Sequence, residues 1–141
     1  MANQRLFDAS ALVDVILGEG GENIEIVVVF DEYLLDLTMY EAANALWKIA
    51  IARGLLSVEE LGDAVDILGR LNHEMRFVRP AETELNRTMQ VARRNGLMFY
   101  DASYLAIAER DDLTLVTEDG TLRDAATEQT VEVEGVADLV N

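Results

Sequence analysis

Asp8, Glu41, Asp101 and Asp119 lie far apart in a chain of 141 residues, and each falls where an apolar segment hands over to a helix. Such acids can meet. In an open parallel α/β sheet the carboxyl ends of the strands share one edge, so side chains distant in sequence converge in one crevice. Clustered carboxylates repel one another and persist cheaply only around a cation. Oxygen ligands without His or Cys select hard cations, Mg²⁺ or Mn²⁺, over zinc. Such a site typically does phosphoryl chemistry, in which water is activated and charge is stabilised on an in-line transition state.

Each acid also has a plain structural explanation. Asp8 and Asp101 can cap the helices that follow them, Glu41 can be the third-position glutamate of a capping box opened by Thr38, and Asp119-Gly120 can be a turn. Caps do not require polar companions, yet every acid has one. Ser10 follows Asp8 by two, Asn44 lies one helical turn beyond Glu41, Ser103 follows Asp101 by two, and Thr117 precedes Asp119 by two. On a helix Glu41, Asn44 and Lys48 share a face, which suits a metal ligand, an orienting amide and a phosphate-binding ammonium.

The elements that must position these residues alternate. Arg5 to Asp8 reads as a strand and Ala11 to Leu17 as a helix stopped at Gly18-Glu-Gly-Gly21. The β-branched run Ile24 to Phe30 fits either a strand or a helix. Tyr33 to Leu37 reads as a strand, Thr38 to Arg53 as a helix stopped by Gly54, and Ser57-Val-Glu-Glu60 as the capping box of a helix reaching about Asn72. In that last helix Val58, Leu61, Val65, Leu68 and Asn72 form a stripe, either core packing or half of a partner-binding helical hairpin. Phe77-Val78 is a short strand, Glu82 to Asn95 a helix closed by Gly96, and Asp101 to Glu109 an alanine-rich helix. Leu113 to Thr117 is a buried strand, a short helix follows Asp119-Gly120, and Thr130 to Val133 is the last strand. The alternation predicts an α/β domain with a mainly parallel sheet, in a single unit spanning residues 1–141.

Composition narrows the chemistry. There is no cysteine, hence no disulfide, thiolate zinc site or cysteine nucleophile, and the only histidine, His73, reads as a solvated helix-end residue rather than part of a triad. No apolar run approaches the roughly 20 residues of a membrane span, and the polar start at Met1 lacks the apolar middle of a signal peptide, so a cytoplasmic protein is expected. The chain carries 27 acids against 11 bases, Lys48 being the only lysine, for a net charge of −16. That sign opposes nonspecific nucleic-acid binding and suits a hydrated surface in a high-salt cytoplasm.

Leu6-Phe-Asp8-Ala-Ser10-Ala-Leu12, Tyr40-Glu41-Ala-Ala-Asn44-Ala-Leu-Trp-Lys48, Tyr100-Asp101-Ala-Ser103-Tyr-Leu-Ala-Ile-Ala108 and Leu115-Val-Thr117-Glu118-Asp119 resemble, in order and interval, the four motifs of the PIN-domain ribonucleases, in particular toxins of the VapC type. The resemblance spans nearly the whole chain. It implies a Rossmann-like sheet of order 3-2-1-4-5 flanked by helices, a Mg²⁺ or Mn²⁺ site, endonucleolytic cleavage of RNA, a homodimer, and inhibition by a small antitoxin. By motif, Asp8, Glu41, Asp101 and Asp119 are the metal acids, Ser10, Asn44 and Thr117 support them, and Glu118 is a neighbour. The acidity and the β-branched Ile24 to Phe30 depart from the family pattern.

The leading expectation is a metal-dependent endoribonuclease, with Lys48, Arg93 and Arg94 as phosphate contacts. The rivals are a PIN-like interaction module without nuclease activity, and a housekeeping RNA-processing nuclease targeted by a partner.

Overall fold

The computed structural model describes residues 4–18 and 24–140. The loop expected at Glu19-Gly-Gly21 and the first three residues lie outside them. Five short parallel strands, β1 (Arg5–Phe7), β2 (Tyr33–Leu35), β3 (Arg76–Val78), β4 (Thr114–Val116) and β5 (Val133–Glu134), form one sheet in the order β3-β2-β1-β4-β5. Strand order reverses at the β1/β4 boundary, so the crevice beyond the carboxyl ends of these two strands is the natural place for a site.

Neighbouring strand residues point to opposite faces, and here both faces are covered. Leu6, Leu35 and Leu115 pack on α4 (Glu82–Asn95), α5 (Phe99–Asp111) and α6 (Gly120–Glu128). Phe7, Leu34 and Val116 pack on α1 (Ala9–Leu17) and the end of α3 (Val58–Glu74). That two-sided burial explains why the strands read as continuous apolar runs. A third cluster joins α1, α2 (Thr38–Trp47) and α3 through Val13, Ala42, Leu46, Ala64 and Leu68. In α5 every residue from Ala102 to Ala108 is buried, which the run of alanines permits because small side chains let the helix lie close to the sheet.

Several boundaries differ from the sequence reading. Ile24 to Phe30 is neither strand nor helix; it holds one 3₁₀ turn, Ile26–Val29, which buries Val29 and leaves Val27 and Val28 exposed. The capping box expected at Thr38 does not form, because the Thr38 hydroxyl is buried and committed elsewhere, and Leu37 is the uncapped helix start. The box at Ser57 and Glu60 does form, with bonds of 2.9 and 3.0 Å. The stripe on α3 is rotated from the one expected. Leu61, Ala64, Leu68 and Leu71 face inward, while Val58 is 89% exposed and Val65 49%. Beyond Trp47 the α2 helix widens into a π-helical segment, Lys48–Ala52, before Gly54 ends it at φ +66°, a conformation that a side chain would strain. α5 starts at Phe99, two residues before Asp101. The last strand lies at Val133–Glu134, because Thr130, at φ 58°, still closes α6. Among the described residues no helix is long and apolar enough to cross a membrane.

Candidate active site

Asp8 is placed by the sheet itself. Its backbone N–H donates to the Val116 carbonyl at 3.1 Å, one rung past β1, and its side chain turns back to cap α1 through the Ala11 N–H at 2.9 Å. The same carboxylate accepts from Ser10 Oγ at 2.7 Å and from Thr117 Oγ1 at 2.5 Å. Thr117 extends the β4/β5 pairing by donating its N–H to Glu134 O, and its hydroxyl in turn accepts the Asp119 N–H at 3.0 Å. Ser10 accepts the Glu118 N–H at 3.0 Å. The two loops after β1 and β4 are thereby stitched together, and Arg123 fastens the second from below through the Thr117 carbonyl at 3.1 Å.

Glu41 and Asp101 arrive on helices instead. Neither caps its helix: the N-cap positions of α2 and α5 are Leu37 and Met98, and neither helix has a side-chain cap bond. Glu41 is held by Tyr104, which is 1% exposed and donates to its Oε1 at 2.8 Å. Because Tyr104 has one proton and gives it to Glu41, the 2.7 Å contact with Thr38 Oγ1 must be Thr38 donating to Tyr104. Thr38 Oγ1 accepts from the Leu35 N–H at 3.1 Å, so a relay runs from the end of β2 through α2 and α5 to Glu41. Sequence reasoning placed Tyr104 within a motif but gave it no role. The available signal is the large polar-tipped side chain of Tyr104 one turn beyond Asp101, on the stretch Ala102 to Ala108 that the sheet buries.

Charge ties the four acids together. Burial pushes the Asp8 carboxyl above its ordinary range, opposed by the Thr117, Ala11 and Ser10 bonds and reinforced by Asp119. Burial likewise raises Glu41, opposed by the Tyr104 bond and reinforced by Asp101 and Asp8. Asp101 is raised by burial and by Asp119. The charged neighbours acting on these carboxylates are other carboxylates. Their donor set, all oxygen, fits a hard divalent cation, and the uncompensated repulsion is what such a cation relieves. Among the described residues, however, no three acids stand close enough to form a closed metal cage as placed. The acids form a loose ring.

The remaining expected site residues divide. Asn44 lines a depression of about 370 Å³ with Leu37, Tyr40, Glu41 and Tyr100. Lys48 is exposed at the start of the π segment and does not line that depression. The Ser103 hydroxyl bonds back to the Phe99 carbonyl of its own helix at 2.9 Å, and Glu118 Oε1 accepts the Val136 N–H at 2.6 Å, so both side chains serve local structure. Arg93 and Arg94 are exposed at the end of α4. Arg94 borders a separate depression with Glu109, Glu128 and Thr130, next to the end of α5 and away from the carboxyl ends of the strands. His73 is exposed in the last turn of α3.

Comparison with known proteins agrees with this fold. The PIN domain family profile matches residues 5–128. Two curated Pyrobaculum aerophilum proteins are similar in sequence. "Exonuclease VapC9" is 38% identical over 105 residues, covering 72% of this chain and 71% of that protein. "Ribonuclease VapC3" is 37% identical over 90 residues, covering 64% and 67%. The crystal structure of PAE2754 from the same organism aligns over 99% of this chain and 89% of its own, with a TM-score of 0.75 and 32% identity. FitAcB from Neisseria gonorrhoeae shares the fold at a TM-score of 0.60 and 17% identity, covering 95% of this chain and 99% of that one. A five-stranded parallel sheet in this order, four acids around its switch point, and a family match over most of the length lead to one conclusion: the chain belongs to the PIN domain family.

Proposed function

We propose that this protein is a VapC-type toxin nuclease, a single-unit cytoplasmic enzyme that cleaves RNA endonucleolytically with Mg²⁺ or Mn²⁺. The observation that carries the reading is the ring of four mutually repelling carboxylates at the β1/β4 switch point, of which Glu41 and Asp101 cap nothing. When bound, a divalent cation supplies charge stabilisation for an in-line displacement at phosphorus and water that ionises near neutral pH. Asp8, Asp101 and Asp119 are the residues to hold it. Asp8 is aimed by Ser10 and Thr117, and Asp119 by the turn that Thr117 anchors. Glu41, oriented by Tyr104, completes the ring or accepts a proton from the attacking water. The names of the VapC relatives support nuclease chemistry; one of them is an exonuclease, so the endonucleolytic mode is specific to this proposal.

As partners we propose a second copy of the chain and a small antitoxin. Trp47, Ile51, Leu55 and Val58 leave a run of exposed apolar side chains from the end of α2 to the start of α3, a surface of the kind that partners cover. The test of the activity is cleavage of linear and circular single-stranded RNA with Mg²⁺, Mn²⁺ or chelator. An endonuclease opens the circle, and chelator stops it. Cutting that persists in chelator, or linear RNA trimmed while circles stay intact, contradicts the proposal.

A further inference from the structure

An enzyme with a net charge of −16 cannot draw RNA to its active site by general phosphate attraction, so affinity must come from elsewhere. Two tyrosines stand where that affinity is needed. Tyr40 precedes Glu41 on α2 and is 82% exposed; Tyr100 precedes Asp101 on α5 and is 57% exposed. Although carried by different helices, they line one depression of about 370 Å³, with Leu37 as apolar lining and Asn44 as the amide. That volume lies in the range of small-ligand clefts. Glu41 is part of the same wall, so whatever occupies the depression lies against one member of the carboxylate ring.

We propose that Tyr40 and Tyr100 form a nucleobase-stacking subsite for single-stranded RNA at the edge of the carboxylate ring, an inference that rests on the nuclease reading. Stacking suits this surface because every base offers a π-face and the attraction needs no positive charge on the protein. Asn44 presents both a donor and an acceptor to the edge of a stacked base. The sugar-phosphate backbone alone offers no π-face to stack on the tyrosines. The subsite therefore selects unpaired nucleotides, whose bases can be splayed onto aromatic rings.

The test compares wild type, Tyr40→Ala/Tyr100→Ala and Tyr40→Phe/Tyr100→Phe on a single-stranded oligoribonucleotide that the wild type cuts, and on the same oligonucleotide made abasic beside the cleaved bond. Both tyrosines are exposed, and the Mn²⁺-induced rise in melting temperature checks that the ring is intact in each variant. The alanine pair should raise KM roughly ten- to hundredfold with kcat within about twofold, whereas the phenylalanine pair should match wild type. On the abasic oligonucleotide the three proteins should bind alike. Equal KM for the alanine pair and wild type overturns the subsite while leaving the nuclease reading in place. A change of solution mass in the alanine pair also overturns it, because the tyrosines then cover another copy of the chain. A wild type that cuts no RNA sinks the nuclease reading itself and takes the subsite with it.

Discussion

The ring of four carboxylates has two halves of different construction. On the strand side, Asp8 and Asp119 are woven into the loops after β1 and β4: Asp8 accepts from Ser10, Ala11 and Thr117, and Asp119 caps α6 through the Thr121 N–H at 2.9 Å. On the helix side, Asp101 caps nothing and Glu41 has one side-chain tie, to Tyr104. The strand-side acids therefore serve the fold directly, whatever else they do. The helix-side acids carry charge into the crevice with no comparable return in stability, which is the stronger sign that the crevice exists for a cation.

The largest predicted effect falls where the structural role is smallest. Asp101→Asn and Glu41→Gln should each lower RNA cleavage by roughly a hundredfold or more, at about 1.4 kcal/mol per factor of ten, while circular dichroism and melting show an intact fold. Full cleavage by either variant would erase the distinction between the halves.

Next comes the relay behind Glu41. Tyr104→Phe keeps the ring in the core but removes the donor, and should lower cleavage roughly tenfold and stability by about 1 kcal/mol, the usual contribution of a hydrogen bond. The positioning role is read from a double-mutant cycle: adding Tyr104→Phe to Glu41→Gln should lower Mn²⁺-induced stabilisation no further. Independent losses would mean that Tyr104 does not act through Glu41.

On the strand side, Asp8→Ala should unfold more easily than wild type by roughly 1–2 kcal/mol, since Ala11, Ser10 and Thr117 lose their common acceptor. Asp101→Ala should show no such loss in thermal or urea melts. Equal destabilisation of the two would contradict the division of labour.

The smallest effect is in pH dependence. Asp101 has a folded-state pKa raised above its ordinary 3.8, so the fold disfavours its ionised form. Below 3.8 the acid is protonated in both folded and unfolded states and nothing is lost; as pH rises through the raised folded value, the metal-free protein loses stability. Metal-free Asp101→Asn should therefore melt higher than wild type at pH 7, and the two should converge below about pH 4. A gap that widens toward acid would have the opposite sign and would contradict the placement of Asp101 among carboxylates.

Much of this arrangement is legible in the sequence, and the misses have physical causes. Strand-to-helix alternation leads to a parallel α/β sheet, the resemblance to PIN domains implies the observed strand order, and the Ser57/Glu60 box is a purely local signal. Thr38 and Glu41 carry the same local signal without forming a box, because Tyr104, distant in sequence, takes both side chains. The large aliphatics of α3 suggest one stripe, yet Ala64 is buried and Val58 and Val65 are not, since neighbouring helices decide the inward face. Helical spacing put Lys48 on the Glu41 face, but it stands where the helix widens and outside the depression that Glu41 and Asn44 line.

The central claim, that four carboxylates from four segments make one cation site, is tested most directly by melting the protein with and without millimolar Mn²⁺ at constant ionic strength. Wild type should gain melting temperature by mass action on the folded state, and Asp101→Asn should lose most of that gain while melting no lower without metal. A wild-type melting curve unmoved by Mn²⁺, or an equal shift in Asp101→Asn, would contradict it.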